Sequence, residues 1–525
     1  MCLAAIPNDQ LDNCKRFEVL TELLWQADYN LIPDIVDLTK KLMEENIICN
    51  ALIINIMDMI SYKNRKRLRF YHSLFIKLVH KSIVKIPSHY YFSCKPLQAA
   101  LIKTESYIGD MPEDYIDKTL DEIYQIYPKK TINYCLFWDD AQTLYFLALL
   151  PKFKFNARMS NGLNLLDTAA MYGSEKCFEY LLANNAKITQ KTLENAFFGS
   201  NCRIIEICCE SFNITQKCLD NAVKSHNNDF ALENIEKFGF DFSWDSTLSF
   251  FNLKMFFYKL NYIKDINKYD SNQDTALIVA AKVGLAYIVE LLLKNGSNTE
   301  IYDRFKEYPL MHAVENNHLK SFGLILQNGA NFEAKDHLGW TAILYSALHN
   351  RIEITNKLIE NKAINSIQDK YGKNALCIAS YNCSVEVASA LIDAGIDMDI
   401  GDNNNWNGLF IASANNSLEI VKLFIEKGCN IDRRDKWGNT PFMVACVKNS
   451  FDVIKYLNEK NADINATNNS GKTALMLAAD NNCIEVVKLL LEFGVKKDIN
   501  DRNGWTALDF ARDNHFIEVE QILSS

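Results

Sequence analysis

Thr275-Ala276-Leu277, Tyr308-Pro309-Leu310, Thr341-Ala342-Ile343, Asn374-Ala375-Leu376, Asn407-Gly408-Leu409, Thr440-Pro441-Phe442, Thr473-Ala474-Leu475 and Thr506-Ala507-Leu508 hold one place in eight successive units. Each starts 33 residues after the one before. An unbroken period of that length marks stacked units, none of which buries its apolar face alone.

The chemistry of a unit follows from its residue types. The opening Thr, Asn or Tyr starts a short helix; Thr caps free N–H groups, and Pro309 and Pro441 occupy the first helical position, where no N–H is missed. Three residues beyond each apolar third position comes a small residue, Ala280, Ala313, Ser346, Ala379, Ala412, Ala445, Ala478 or Ala511, which lets neighbouring helices approach closely. A second helix follows, as in Leu418 to Ile425, with Glu353, Glu386, Glu419, Asp452, Glu485 and Glu518 near its N-terminus, where the helix dipole favours negative charge. Gly296, Gly329, Gly395, Gly428 and Gly494 end it as left-handed caps, and looser turns are expected where Lys362 and Asn461 replace Gly. An Asp five residues before each next unit (Asn468 in one case) folds its side chain over a turn.

Upstream, Gly162, Leu166, Ala169, Gly173, Leu181 and Leu182 keep the spacing of the later repeats. Ile188-Thr189-Gln190-Lys191 then recurs as Ile214-Thr215-Gln216-Lys217, 26 residues on, each copy followed by an apolar residue and a small one (Leu193 and Ala196, Leu219 and Ala222). The shortfall from 33 is the length of a turn finger, so residues 156–262 read as degenerate helix pairs without fingers, ending in a pair over Phe240 to Leu260. Residues 1–155 read as a helical domain with no such period. Phe17, Leu20, Leu23, Leu24 and Ala27 form one apolar face, Ile35, Leu38, Leu42 and Met43 a second, and Leu68, Phe70, Leu74, Phe75, Leu78 and Val79 a third.

The 525 residues are 48% apolar and carry a formal charge of −9, which gives nucleic acid no global positive field. Fifteen cysteines stand without paired spacing, and the first residues lack the basic start and long apolar core of a signal peptide. These features favour reduced thiols and a cytoplasmic location. The runs Asn50 to Ile60 and Leu144 to Leu150 are too short, or broken by Asp58, to span a bilayer. Lys63-Asn64-Arg65-Lys66-Arg67 and Arg69 form one basic stretch, either a targeting or acidic-partner patch or a solvated helix start.

The eight units resemble ankyrin repeats, with Thr440-Pro441-Phe442 through Gly471-Lys472-Thr473 showing the Asp-x-x-Gly-x-Thr-Pro-Leu pattern. The resemblance covers residues 263–525. Residues 156–262 look like the uncharacterised segment that precedes ankyrin repeats in large protein families of parasitic protists, and residues 1–155 resemble those proteins more loosely. The implied fold is all-α, an ankyrin-repeat α-solenoid with short β-hairpin fingers, preceded by degenerate helix pairs and an N-terminal helical domain. The resemblance also implies protein binding on the concave finger side and no catalysis.

Catalytic and metal motifs are missing from the sequence. Gly471-Lys472-Thr473 lacks the Gly five residues earlier, where Ala466 stands, that a phosphate loop needs. Cys202, Cys208, Cys209 and Cys218 lack zinc-ligand spacing, with Cys208 and Cys209 expected on a buried helix face. His226, His312, His318 and His515 stand near helix ends, where the resemblance implies bonds to the backbone. No cofactor or metal is expected.

In ankyrin-like units the positions four, three and one before the helix opening point outward. Here they include Arg304, Phe305, His337, Trp340, Lys370, Tyr371, Lys373, Trp406, Lys436, Trp437, Arg502 and Trp505. Eight units of three positions make 24 of 525 residues, which random placement would give about 0.3 of the seven Trp; four are found. Trp, Tyr and Arg dominate binding hot spots. The function expected is a non-catalytic scaffold that binds a partner protein through this row, with an acidic or mixed partner favoured by the basic side chains. The competing reading is that each indole seals the neighbouring finger. Replacing the four Trp by Ala together is expected to abolish partner capture and leave folding intact. The alternatives are a targeting subunit for an activity housed in residues 1–155, and nucleic-acid or anionic-membrane contact through Lys63–Arg69.

Overall fold

The architecture comes from a computed structural model, which describes residues 8–26, 28–45, 50–63, 68–84, 97–98, 100–101, 131–151, 153–159, 161–239, 241–363 and 367–524. It has two compact units, Met1–Arg304 and Phe305–Ser525. Every described element is helical, and the isolated antiparallel bridge Arg158↔Asn164 is the only strand pairing among the described residues.

In the first unit, helices Asn8–Gln26, Ile32–Glu44, Asn50–Lys63 and Leu68–His80 pack together. Phe17, Leu20, Leu24, Ile35, Leu42, Phe70, Leu74, Phe75 and Leu78 are buried on the faces read from their spacing. The Asn50 to Ile60 run is part of this core: Ile53, Ile54, Ile56 and Met57 of helix Asn50–Lys63 are fully buried. The Tyr71 hydroxyl donates to the Leu24 carbonyl at 3.2 Å, which ties the fourth helix to the first.

The first helix docks on the helix pairs that follow. It packs against Leu253–Tyr262, and Trp25 stacks on His226 with centroids 4.3 Å apart. His226 sits at a left-handed turn and bonds the Phe250 carbonyl through Nε2 at 2.9 Å. Burial pushes its pKa down to about 4, so the stacked ring is neutral at ordinary pH.

Among the described residues six helix pairs run through the rest of this unit. Those at Gln190–Gly199/Cys202–Cys209 and Gln216–Lys224/Asn228–Phe238 are joined by only the six residues 210–215. Thr189 caps the first of these helices in a capping box, and Thr192 Oγ1 donates to the buried Asp167 at 2.6 Å across to the preceding pair. Gly199 allows that approach: a Cβ there would lie 2.0 Å from the Ala170 carbonyl oxygen. A further pair, Ile132–Trp138 and Ala141–Ala148, packs ahead of Leu165–Met171, and one apolar core runs from Cys135 to Met255. Asp139 and Asp140 cap the two helices of that pair at the turn between them.

The second unit holds seven pairs in register, from Pro309–Glu315/Leu319–Gln327 to Ala507–Asp513/Ile517–Ser524. Thr440, Thr473, Thr506, Asn374 and Asn407 cap their helices by accepting an N–H three residues on. The small residues Ala313, Ser346, Ala379, Ala412, Ala445, Ala478 and Ala511 are all fully buried, and successive first helices pack on one another there. Gly408 reflects a size exchange: a Cβ would come 2.2 Å from Phe424 Cζ, and Phe424 replaces the Leu found one unit earlier and later, Leu391 and Leu457.

The second helices of the middle repeats end at left-handed residues, with φ of 86° at Gly428. Lys362 and Asn461 take the same conformation at 59° and 62°, so those turns are not looser; the strain falls on a residue with a Cβ instead. A second left-handed position recurs between the two helices of each pair, at Asn317, Asn350, Cys383, Asn416, Asn449, Asn482 and His515.

Candidate partner-binding surface

Each finger of the second unit is built by one carboxylate or amide. Asp435 Oδ1 accepts the backbone N–H groups of Trp437 at 2.9 Å and Asn439 at 2.8 Å. Asp336, Asp369, Asp402, Asn468 and Asp501 repeat the arrangement on the residues two and four further on. The hairpins expected from the sequence are therefore tight Asx turns rather than paired strands. Backbone bonds join finger to finger: Lys370 N–H to Leu338 O at 3.1 Å, Asn403 to Tyr371 at 3.0 Å, Lys436 to Asn404 at 3.0 Å, Asn469 to Trp437 at 2.9 Å, Arg502 to Ser470 at 3.0 Å. The fingers form one hydrogen-bonded row.

The second carboxylate oxygen serves a different partner. Trp340 Nε1 donates to Asp369 Oδ2 at 3.2 Å, and Trp406 Nε1 to Asp435 Oδ2 at 3.0 Å. Both pairs are 29 residues apart. Asn468 stands where the others have Asp, and there the polarity reverses: its Nδ2 donates to Asn439 Oδ1 at 2.9 Å, again 29 residues back. Residue identities on facing fingers are thus matched as donor and acceptor.

The sequence-predicted residues accordingly divide. Trp340 and Trp406 are half-buried staples between fingers, packed on Tyr345 and Phe410, so the four-Trp replacement is expected to disturb folding as well as binding. Trp437, Trp505, Phe305 and Tyr371 remain 49%, 37%, 45% and 55% exposed. Lys370, Lys436, Arg502 and His337 are exposed; Lys370 lies over the Tyr371 ring, and His337 Nδ1 meets the Phe305 carbonyl at 2.8 Å. Arg304 is exposed at the end of the first unit.

Trp406 and Trp437 come together with Asp435 and Asn439 around a cavity of about 250 Å³, completed by Met443, Val444, Val447 and Lys448 of the first helix and by Leu477 of the next. The finger pattern alone missed these helix residues. Met443 and Val444, three and four residues past the helix opening, are buried core residues, so spacing alone did not mark them as pocket lining.

The other candidates resolve as structure. Lys472 Nζ pairs with Asp480 at 2.8 Å and lies 4.1 Å from the Phe510 ring centroid, so Gly471-Lys472-Thr473 is a finger corner. Cys208 and Cys218 are buried, and burial pushes Cys208 up to about 12; Cys209 is exposed, contrary to expectation, because the burying face of its eight-residue helix falls on Ile204, Ile205 and Cys208. His312 is buried, with the carboxylates of Glu307 at 3.6 Å and Glu315 at 3.7 Å. Asn64 to Arg67, the centre of the basic stretch, lie outside the described residues, and Arg69 is exposed. Among the described residues no helix is long and apolar enough to cross a membrane.

Tight, mutually bonded turns projecting from stacked helix pairs define a helical repeat protein of the kind that generally serves protein–protein interaction. The chain belongs to the ankyrin-repeat family: the family model described as Ankyrin repeats (3 copies) matches residues 249–336, 310–402, 391–468 and 460–525, more than half of the chain. A second model, Domain of unknown function (DUF3447), matches residues 184–259, the helix pairs with short connections. No curated protein matches the chain.

Proposed function

We propose that this chain is a non-catalytic scaffold that binds a partner protein through the finger row and adjoining helix faces of residues 305–525. The observation that supports it is the contrast within the row. The turn N–H groups at Trp437 and Asn439 are bonded within their finger, while Phe305, Tyr371, Trp437 and Trp505 keep large parts of their rings exposed. Exposed aromatic surface of this kind marks interaction sites. Residues 263–525 are the eight-repeat binding array in this reading, 156–262 the finger-less pairs and 1–155 a separate helical domain. The free cysteines, buried and exposed alike, fit a reducing compartment such as the cytoplasm.

The test is affinity capture with the full chain, compared with Tyr371→Ala/Trp437→Ala/Trp505→Ala. Loss of a specific partner with unchanged circular dichroism and melting supports the proposal. Unchanged capture contradicts it.

A further inference from the structure

We propose that the cavity between Trp406 and Trp437 is the anchor pocket of this surface, and that its occupant is one large apolar side chain of an acidic peptide segment in the partner protein. The inference rests on the finger row being the binding surface, and it names the chemistry recognised there.

Size decides the kind of occupant. About 250 Å³ falls below the roughly 300–1,000 Å³ typical of small-molecule and cofactor sites, which favours an inserted side chain over a whole small molecule. The walls fit that occupant: two indoles, Met443, Val444, Val447 and Leu477. A peptide anchor of this type fills a desolvated pocket ringed by polar groups, the usual arrangement of a hot spot.

Charge decides the flanks. Asp435 is the only carboxylate lining the pocket. It is buried and saturated by four donors: the Trp437 and Asn439 backbone N–H groups, Trp406 Nε1 and Asn439 Nδ2. It offers nothing to a cationic partner. At the rim, Lys436 and Lys448 are exposed, and neither has an acidic partner within 4.0 Å among the described residues. Across the outward finger positions of residues 305–505 stand Lys370, Lys373, Lys436, Lys472 and Arg502 against the single carboxylate Glu307, in a chain whose net charge is −9. The outward side chains are therefore net positive, with Lys472 already paired with Asp480 and the turn-forming Asp336, Asp369, Asp402, Asp435 and Asp501 set behind them. Complementary charge of this kind speeds encounter and excludes partners of the wrong sign.

The test uses fluorescence anisotropy with a labelled heptapeptide, one Phe between two runs of three Glu, titrated with the full chain. Controls carry Ala in place of Phe, or Lys in place of Glu. Saturable binding is expected, at least about tenfold weaker for the Ala peptide, absent for the Lys peptide, and weakened by salt. Val447→Glu or the exposed Lys448→Glu should abolish it, while Lys455→Glu, on the second helix of the same repeat, should not. Equal binding of the Phe and Ala peptides, or of the Glu and Lys peptides, overturns the inference. So does no binding of the acidic peptide at about 1 mM. The finger-row reading is scored separately. It stands if Trp437→Ala reduces capture of the natural partner whatever the peptides do, and falls if capture is unchanged.

Discussion

Replacing Asp435 probes the joint on which the finger row depends. Asp435→Ala removes two turn bonds of 2.9 and 2.8 Å, the indole bond from Trp406 at 3.0 Å and the amide bond from Asn439 at 3.1 Å. Bonds to a charged acceptor contribute about 1.5–3 kcal/mol each, which bounds the loss from above. The turn N–H groups lie near the surface and regain water, so the expected cost is about 3–4 kcal/mol. Asp435→Asn keeps the turn but sets an amide N–H against the Trp406 N–H, and should cost about 1–2 kcal/mol. The Asn439–Asn468 pair shows how such a joint is made from two amides. Trp406→Asn combined with Asp435→Asn should therefore cost less than the sum of the single changes, by about 1 kcal/mol in a double-mutant cycle. The assay is urea unfolding followed by circular dichroism, with amide exchange at residues 436–439 to localise the effect. Additivity within about 0.3 kcal/mol would refute the donor–acceptor matching of neighbouring fingers.

Other changes test other links. Gly408→Ala should destabilise by about 1–3 kcal/mol through overpacking against Phe424, and adding Phe424→Leu should recover much of it in thermal melts. Leu475→Ala, at a residue 1% exposed, should cost about 2–5 kcal/mol by opening a cavity, read as a lower urea midpoint. Asp509 accepts the Thr506 hydroxyl and N–H, bonds that hold its carboxyl below the ordinary value of 3.8. A depressed folded pKa contributes stability above the unfolded value, lost as pH falls through the folded one. Wild type should thus outmelt Asp509→Asn at pH 5–7, with the gap closing as pH drops below 3.8. Trp437→Ala alone should leave the melt nearly unchanged, whereas Trp406→Ala should lower it, because only the second indole holds a neighbouring finger.

The repeat was legible because its constraints are local. Thr440 caps, Pro441 starts and Gly428 ends helices through groups at most a few residues away, and the same types return every 33 positions. The left-handed Asn at 317, 350, 416, 449 and 482 also keeps the 33-residue register, since Asn tolerates that conformation, but it was not among the markers read from the sequence. The division of labour among the indoles was not legible. Trp406 and Trp437 sit two positions apart in the finger pattern, and only side-chain direction decides that one reaches Asp435 while the other faces solvent. The stacking of Trp25 on His226 joins residues 201 apart, with no local trace in either segment. The pocket combines two fingers with two helices, so its lining follows from packing rather than from spacing.

The most direct measurement is amide hydrogen exchange on the full chain with and without its captured partner. The account predicts new protection concentrated at fingers 403–406 and 436–439 and at 443–448 of the adjoining first helix, with the second helices 418–426 and 451–459 unchanged. Protection confined to those second helices would place the partner on the opposite face and contradict the account.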